Sequence, residues 1–245
     1  MKFLRQAKGL QLICGLMISL SWMTTKAEAY YEGYLAEVFL TGAEYCPNGS
    51  LSADGGLQTV SENTSLYVLL GQRFGKVHFS QFLLPQLTPE DYFREFPKTG
   101  LRWCIWTQRG IFPTRPENRS DLSSNRVAGE ILITATDFCP GGWQEHSAEA
   151  EFGGLLICRA DGTAPELDLH IARLFLFEGA TCPAKSLAAD GALYPIRGNE
   201  PLFSLVRDSF GGNQTTEFAV PNKAAPGAGL IWCIVQDGQY PVRQY

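Results

Sequence analysis

The sequence predicts a mainly β protein with short helices, and three observations support this fold class. Apolar runs rich in branched and aromatic side chains are short and recur along the chain, as they do in strands. Glycine and proline are frequent and scattered, with 25 and 14 residues, and long helical patterns are missing. One stretch of the sequence also recurs within the chain, which indicates tandem modules.

The repeat becomes visible when the chain is compared with itself at an offset of 136 residues. Cys46-Pro47 then aligns with Cys182-Pro183, and Ala53-Asp54-Gly55 aligns with Ala189-Asp190-Gly191. The leucines of a short helical pattern, an aromatic-glycine pair and a proline follow in the same order in both stretches. The chain is therefore expected to contain two full copies of one module.

A shortened copy lies between the two full ones. Gly129-Glu130-Ile131-Leu132-Ile133 resembles Ala36-Glu37-Val38-Phe39-Leu40, whereas the helix and the aromatic-glycine section have no counterpart there. After a signal peptide at 1–29, the predicted organisation is a full first copy at 30–116, a linker at 117–126, a truncated second copy at 127–166 and a full third copy at 167–245.

Each copy opens with an apolar run that suits a strand, and the Cys-Pro step ends this strand because proline cannot donate to a ladder. The Asp-Gly steps at Asp54 and Asp190 predict a hairpin turn, since such turns need positive φ. A short helix follows in the full copies. Asn63 or Thr64 is expected to cap it in the first copy, and Asn199 in the third.

The cysteines predict disulfide bonds, because six of the seven lie outside the N-terminal segment of an exported chain. Each copy has one early and one late cysteine, which predicts the pairs Cys46–Cys104, Cys139–Cys158 and Cys182–Cys233. A metal site is the alternative. The sequence has no C-x-x-C pair and its histidines occupy unmatched positions, so no metal is expected.

The first 29 residues have the pattern of a cleaved signal peptide. Basic residues precede a short apolar run, and Ala27-Glu28-Ala29 fits the small residues before a cleavage point; an uncleaved anchor is the alternative. Cleavage would remove four basic residues and one acidic residue, which changes the net charge from −5 to −8. An acidic chain gains nothing from a phosphate backbone, so nucleic acid is not expected as a partner.

One ordered set of motifs in the third copy carries a resemblance to a known family. The set is Ser186-Leu187-Ala188-Ala189-Asp190-Gly191-Ala192-Leu193, then Asn199-x-x-Leu202-Phe203-Ser204-Leu205, then Phe210-Gly211-Gly212, then Thr216-x-Phe218-x-Val220-Pro221-Asn222. This order resembles the phage tail collar domain, which also occurs in bacterial proteins called microcystin-dependent proteins. The resemblance covers both full copies, and the family's opening Pro-x-Gly-Trp is kept best in the truncated copy, as Pro140-Gly141-Gly142-Trp143.

The chain departs from the family's pattern in several places. The family's Arg-Gly is absent after Pro85 and Pro221, and both full copies lack the Gly-Trp. The paired cysteines and the export signal look like additions for an oxidising compartment. These additions favour a secreted or surface relative over a component of a virion.

The resemblance implies a role in fibre or tip assembly, or in receptor binding, and it implies no catalysis or cofactor. We therefore expect a secreted binding or assembly protein, located in the periplasm, at the cell surface or outside the cell. Its partner would be a surface ligand such as a carbohydrate or an envelope component. Related fibre proteins act as trimers, so three linked copies imply self-association or a pseudo-trimer within one molecule. A secreted hydrolase of unrecognised type and a purely structural envelope protein are the alternatives.

Tryptophans are the candidate binding residues. Trp103 and Trp232 precede bridged cysteines in predicted strands and are expected in the core, whereas Trp106 and Trp143 are candidates for stacking on a ligand. A catalytic carboxylate pair is the other reading of Asp54 and Asp190. An aspartate that forms a turn before glycine explains both positions.

Overall fold

The structure is a computed structural model, and it describes residues 33–87, 100–115, 126–146, 154–162, 164, 167–224, 226–227 and 229–243. The expected signal peptide and most of the linker lie outside these residues. Within the described ranges, helices are too short to span a lipid bilayer. Residues 31–245 form one compact unit.

The described chain contains thirteen strands and two short helices, which confirms the predicted fold class. The first copy contributes β1 (Glu37–Thr41), β2 (Ser50–Ser52), β3 (Leu57–Thr59), α1 (Thr64–Leu70), β4 (Gln81–Leu83) and β5 (Arg102–Trp106). The truncated copy contributes β6 (Glu130–Thr134), β7 (Trp143–Glu145) and β8 (Leu156–Ala160). The third copy contributes β9 (Arg173–Glu178), β10 (Ser186–Ala188), β11 (Leu193–Pro195), α2 (Glu200–Val206), β12 (Glu217–Ala219) and β13 (Leu230–Val235).

Three central strands, one from the start of each copy, pair with one another in a closed cycle. The beginning of β1 pairs with the end of β6, the beginning of β6 with the end of β9, and the beginning of β9 with the end of β1. Each pairing is antiparallel and joins two residues of each strand. Because equivalent residues make equivalent pairings, the three strands are related by a pseudo-threefold axis.

The residue before each central strand repeats the same backbone geometry. Ala36, Gly129 and Ala172 have φ values of 68°, 88° and 66°. The carbonyl oxygen of each accepts a backbone hydrogen bond from the end of a neighbouring copy's central strand, with N···O distances of 2.8–2.9 Å. A left-handed conformation is unfavourable for alanine, so its recurrence shows that the cycle requires this turn in every copy.

Each central strand is extended into an arm of three strands. β1 is followed by β5 and β2, β6 by β8 and β7, and β9 by β13 and β10, which together make one nine-stranded sheet. The truncated copy contributes a complete arm, and among its described residues the short helix of the full copies and the two strands beside that helix have no counterpart. The boundaries between the copies stay predictions, since all three copies share one sheet.

In each of the two full copies, two short strands and a helix form an insert between the last two strands of the arm along the chain. β3 pairs with β4 around α1, and β11 pairs with β12 around α2. The predicted Asp-Gly hairpin is therefore wrong, because β2 pairs with β5 and not with β3. Asp54 and Asp190 do form turns, in which each carboxylate accepts the backbone N–H of Gly56 or Ala192. These turns direct the chain out of the sheet and into the insert.

The helices begin at the expected asparagines but do not use them as expected. Asn63 and Asn199 are the N-cap residues, and neither side chain makes a capping hydrogen bond. Their side-chain amides donate backwards instead, to the carbonyl oxygens of Thr59 and Pro195. Each asparagine therefore ties the start of a helix to the strand before it.

The sheet separates a large core from three small ones. Val38 of β1 belongs to the large cluster, which also contains Leu66 of α1 and Leu202 of α2. Phe39 points to the opposite face, where it packs in a small cluster with Trp106. Each arm has its own small cluster on this second face. The alternation follows directly from the two-residue period of a strand.

The three predicted disulfide bonds are confirmed, as Cys46–Cys104, Cys139–Cys158 and Cys182–Cys233. Their Cα–Cα distances of 5.7–5.8 Å lie in the ordinary range. Each bond joins the turn after a central strand to the next strand of the same arm.

The expected core positions of two tryptophans are confirmed as well. Trp103 and Trp232 are 9% and 4% exposed, and their ring centroids lie 6.2 Å apart in an edge arrangement. Since Trp103 belongs to the first copy and Trp232 to the third, this contact joins two copies within the large core.

We expect the cost of losing a disulfide to follow the length of chain that it closes. The Cys182→Ser/Cys233→Ser variant opens a loop with a sequence separation of 51 and should lose about 4 kcal/mol of the free energy of unfolding. The Cys139→Ser/Cys158→Ser variant opens a separation of 19 and should lose about 3 kcal/mol. Urea unfolding of the oxidised variants measures both, and a larger loss from the shorter loop would contradict this expectation.

Candidate functional site at the pseudo-threefold axis

The first residue of each central strand is charged and buried. Glu37, Glu130 and Arg173 occupy this position in the three copies and are 0%, 3% and 3% exposed. The cyclic pairing brings these three positions to the same end of the axis, on the face opposite the large core. Two acids and one base therefore meet where three identical subunits would place three like charges.

Glu37 and Arg173 form an ion pair between the first and third copies. The Nη2 of Arg173 donates to Oε1 of Glu37, and the backbone N–H of Tyr34 donates to Oε2 at 2.8 Å. Burial raises the pKa of the Glu37 carboxyl, and the charge of Arg173 opposes that rise. Each carboxylate oxygen of Glu37 thus accepts a hydrogen bond within the protein, Oε1 from the third copy and Oε2 from the first copy.

Arg126 provides the fourth charge and balances the cluster. Its Nη1 lies 2.8 Å from Oε1 of Glu130, and the two residues are 5% and 3% exposed. Arg126 lies at the end of the predicted polar linker, and this role was not predicted from the sequence. The spacing of four between Arg126 and Glu130 is visible in the sequence. It predicts contact in a helix and says little about an extended segment.

Aromatic rings enclose the charged groups. The indole N–H of Trp143 donates to the Tyr34 hydroxyl at 3.4 Å, and the Arg126 guanidinium lies 5.3 Å from the Trp143 ring. On the other side, the Arg173 guanidinium lies 4.9 Å from the ring of Phe39. Rings at these distances attract a cation and exclude water from it.

The prediction that Trp106 and Trp143 lie at the surface is wrong. They are 0% and 4% exposed, so neither offers a ring face to a ligand. Trp106 packs against Phe39 at 5.4 Å between centroids, and Trp143 packs against Tyr34 at 6.3 Å. The physical reason is that the second face of each arm is covered by other parts of the chain, which the strand pattern alone does not reveal.

His170 lies beside the cluster, at the position in the third copy that Tyr34 holds in the first. Its side chain is 2% exposed, and its ring centroid lies 5.8 Å from that of Trp106. Burial, and then the nearby charge of Arg173, lower the pKa of His170 to about 4. The imidazole is therefore neutral at pH 7.

The arrangement of these groups suits adhesion between copies. The four charged residues are at most 5% exposed, so a substrate in solution does not reach them. The described chain does have surface grooves, but the charged side chains that line them either form contacts within the protein or are exposed to water. One of about 560 Å³ is lined by Arg159 and Glu178, which form an ion pair, and one of about 420 Å³ is lined by Tyr45, Arg102 and Arg243. Among the described residues, no three metal-ligating side chains lie close enough to hold an ion.

We expect the Glu37–Arg173 pair to behave as a strongly coupled unit. Glu37→Met or Arg173→Met alone leaves an uncompensated buried charge and should cost about 3–5 kcal/mol of the free energy of unfolding. The double variant removes both charges and should cost less than either single change. Urea unfolding of the four proteins gives the coupling energy.

Asp137→Asn is the matched control, because it breaks an ion pair with Arg115 whose side chains are 54% and 67% exposed. Its cost should stay below about 1 kcal/mol. Additive costs in the double variant of Glu37 and Arg173 would mean that the two charges do not depend on each other.

Comparison with known proteins agrees with this geometry. The family model of the phage tail collar domain matches residues 36–91 and 173–225, and each match starts at or just before a central strand. No significant match was found among curated proteins or among solved structures. The resemblance seen in the sequence is confirmed for both full copies, each of which contains a stretch that matches the phage tail collar domain.

Proposed function

We propose that this protein is an exported assembly or binding protein without catalytic activity, in which three linked copies take the place of three separate subunits. The observation that carries the proposal is the closed cycle of β1, β6 and β9. In that cycle every central strand already has a partner at each end. The molecule needs no second chain to complete its sheet.

The charges at the axis support the same conclusion. Equivalent positions of a true trimer hold identical residues, so a buried charge there would face two copies of itself at high cost. Glu37, Glu130 and Arg173 avoid this problem because linked copies can differ in sequence. The truncated copy then serves as the third member of the ring and supplies Glu130, whose partner Arg126 is the last residue of the linker.

The family matched here is a structural family of phage tails, which supports an assembly or binding role over catalysis. A partner would meet the inserts, whose exposed positions differ between the copies. Val68 and Phe79 of the first insert are 69% and 81% exposed, whereas the equivalent residues of the third insert are Ser204 and Thr215. One molecule thus presents two different surfaces, to a ligand such as a carbohydrate or another envelope component.

Export is supported by two independent features. Three disulfide bonds form and persist in oxidising compartments. The basic and apolar segments before Ala27-Glu28-Ala29 have the order of a secretory signal.

The purified mature protein should be a monomer. Native mass spectrometry and light scattering should give the mass of one chain, below the 27.0 kDa of the full sequence, across a hundredfold range of concentration. A trimeric mass would contradict the proposal, because it would require the copies to pair between chains.

The mature protein should begin at Tyr30 when the full sequence is expressed in a bacterium with its own N-terminus. N-terminal sequencing of the periplasmic or secreted product tests this point. Thiol labelling without reduction should find no reactive cysteine in that product. Retention of the full-length chain in the cytoplasm would count against export while leaving the monomer prediction standing.

A further inference from the structure

Two segments of the chain close over a neighbouring copy. The first closing segment, residues 111–115, follows β5 and lies on the truncated copy. The second closing segment, residues 239–243, follows β13 and lies on the first copy. They occupy equivalent places in the two full copies, so they form a matched pair within one molecule.

The second closing segment is held at its tip by backbone and ring contacts. The N–H of Asn48 donates to the carbonyl oxygen of Val242 at 2.8 Å, and the Tyr45 hydroxyl donates to that of Pro241 at 2.8 Å. The guanidinium of Arg243 lies 4.7 Å from the centre of the Tyr45 ring.

The first closing segment makes the same kinds of contact at its tip. The N–H of Gly141 donates to the carbonyl oxygen of Thr114 at 2.8 Å. The guanidinium of Arg115 lies 4.6 Å from the Phe138 ring and 3.5 Å from the carboxylate of Asp137. The tips therefore do not distinguish the two segments.

The bases of the segments do distinguish them. Tyr34 forms a parallel bridge with Ile111 at the base of the first segment, and His170 forms the equivalent bridge with Gln239 at the base of the second. The backbone hydrogen bonds that flank these bridges have N···O distances of 2.8–3.2 Å in both places. Histidine takes up a proton between neutral and mildly acidic pH, and tyrosine does not.

The surroundings of His170 disfavour a second positive charge. Its ring lies against the Trp106 ring, and the nearby charge of Arg173 acts on it. Glu37 faces this region, but its carboxylate is occupied by Arg173 and by a backbone N–H. Asp168 is exposed and accepts the side-chain amide of Gln239 at 3.1 Å.

Among the described residues, the remaining charged groups of the axis are Glu130 of the truncated copy and Arg126 at the end of the linker, which form an ion pair with each other. A proton on this imidazole is therefore accommodated best when the base of the second closing segment opens and water reaches the ring.

We propose that the second closing segment is a strap that acid releases through His170, while the first closing segment stays closed. The pKa of His170 is about 4 in the closed state, below its ordinary value of 6.5, so protonation favours the open state. Closure is fully stable above pH 6.5 and loses stability as the pH falls towards 4. Opening exposes the Tyr45 ring and the Asn48 N–H.

Amide hydrogen exchange measured by NMR tests the strap. Between pH 7 and pH 4.5, the protection factor of the Asn48 amide should fall on the order of ten- to a hundredfold, after correction for intrinsic exchange. The Gly141 amide, which the first closing segment protects, should keep its protection factor. Equal losses at both amides would indicate global acid destabilisation and overturn the proposal, as would unchanged protection at Asn48.

Two substitutions exchange the properties of the two segments. His170→Tyr installs the residue that the first copy has at this position, and it should keep the Asn48 amide protected at pH 4.5. His170→Gln takes up no proton at pH 4.5 and should also keep this amide protected, which provides a second test where the larger tyrosine does not fit. Tyr34→His should make the Gly141 amide lose protection in acid. Continued release of Asn48 in His170→Gln would overturn the assignment to His170, and His78→Gln, at an exposed histidine, is the control that should change neither amide.

Discussion

The ion pair between Glu37 and Arg173 determines how the three copies fit together. It lies where the central strands of the first and third copies begin, and its formation requires that those strands adopt the observed pairing. Arg126 of the linker and Glu130 of the truncated copy complete the charge balance. A shifted register would leave a buried carboxylate or guanidinium without its partner, which costs several kcal/mol. The cluster therefore selects one arrangement among the several that the similar apolar strands would tolerate.

Covalent contacts stabilise the individual arms, whereas non-covalent contacts join the copies to one another. Each disulfide stabilises one arm, and none of them joins two copies. The copies are joined by the strand cycle, the contact between Trp103 and Trp232, and the closing segments. The truncated copy is joined to both full copies through the pairings of β6 with β1 and β9.

The features that were predictable from the sequence are those that one copy determines alone. The disulfide pairs, the helix starts at Asn63 and Asn199, and the core positions of Trp103 and Trp232 follow from spacing and pattern within a copy. The strand cycle was not predictable, because it pairs residues of different copies. The burial of Trp106 and the outward path after Asp54 were missed because strands that are distant in sequence decide both environments. The role of Arg126 was missed because a spacing of four residues says little about an extended segment.

The closed strand cycle also has a consequence for how the protein responds to dilution. Subunits that are separate chains dissociate when they are diluted, because their association is a second-order process. Copies on one chain meet at an effective concentration that the linker sets and that dilution does not change. Folding of this ring is thus a first-order event, and its rate does not depend on the concentration of the protein.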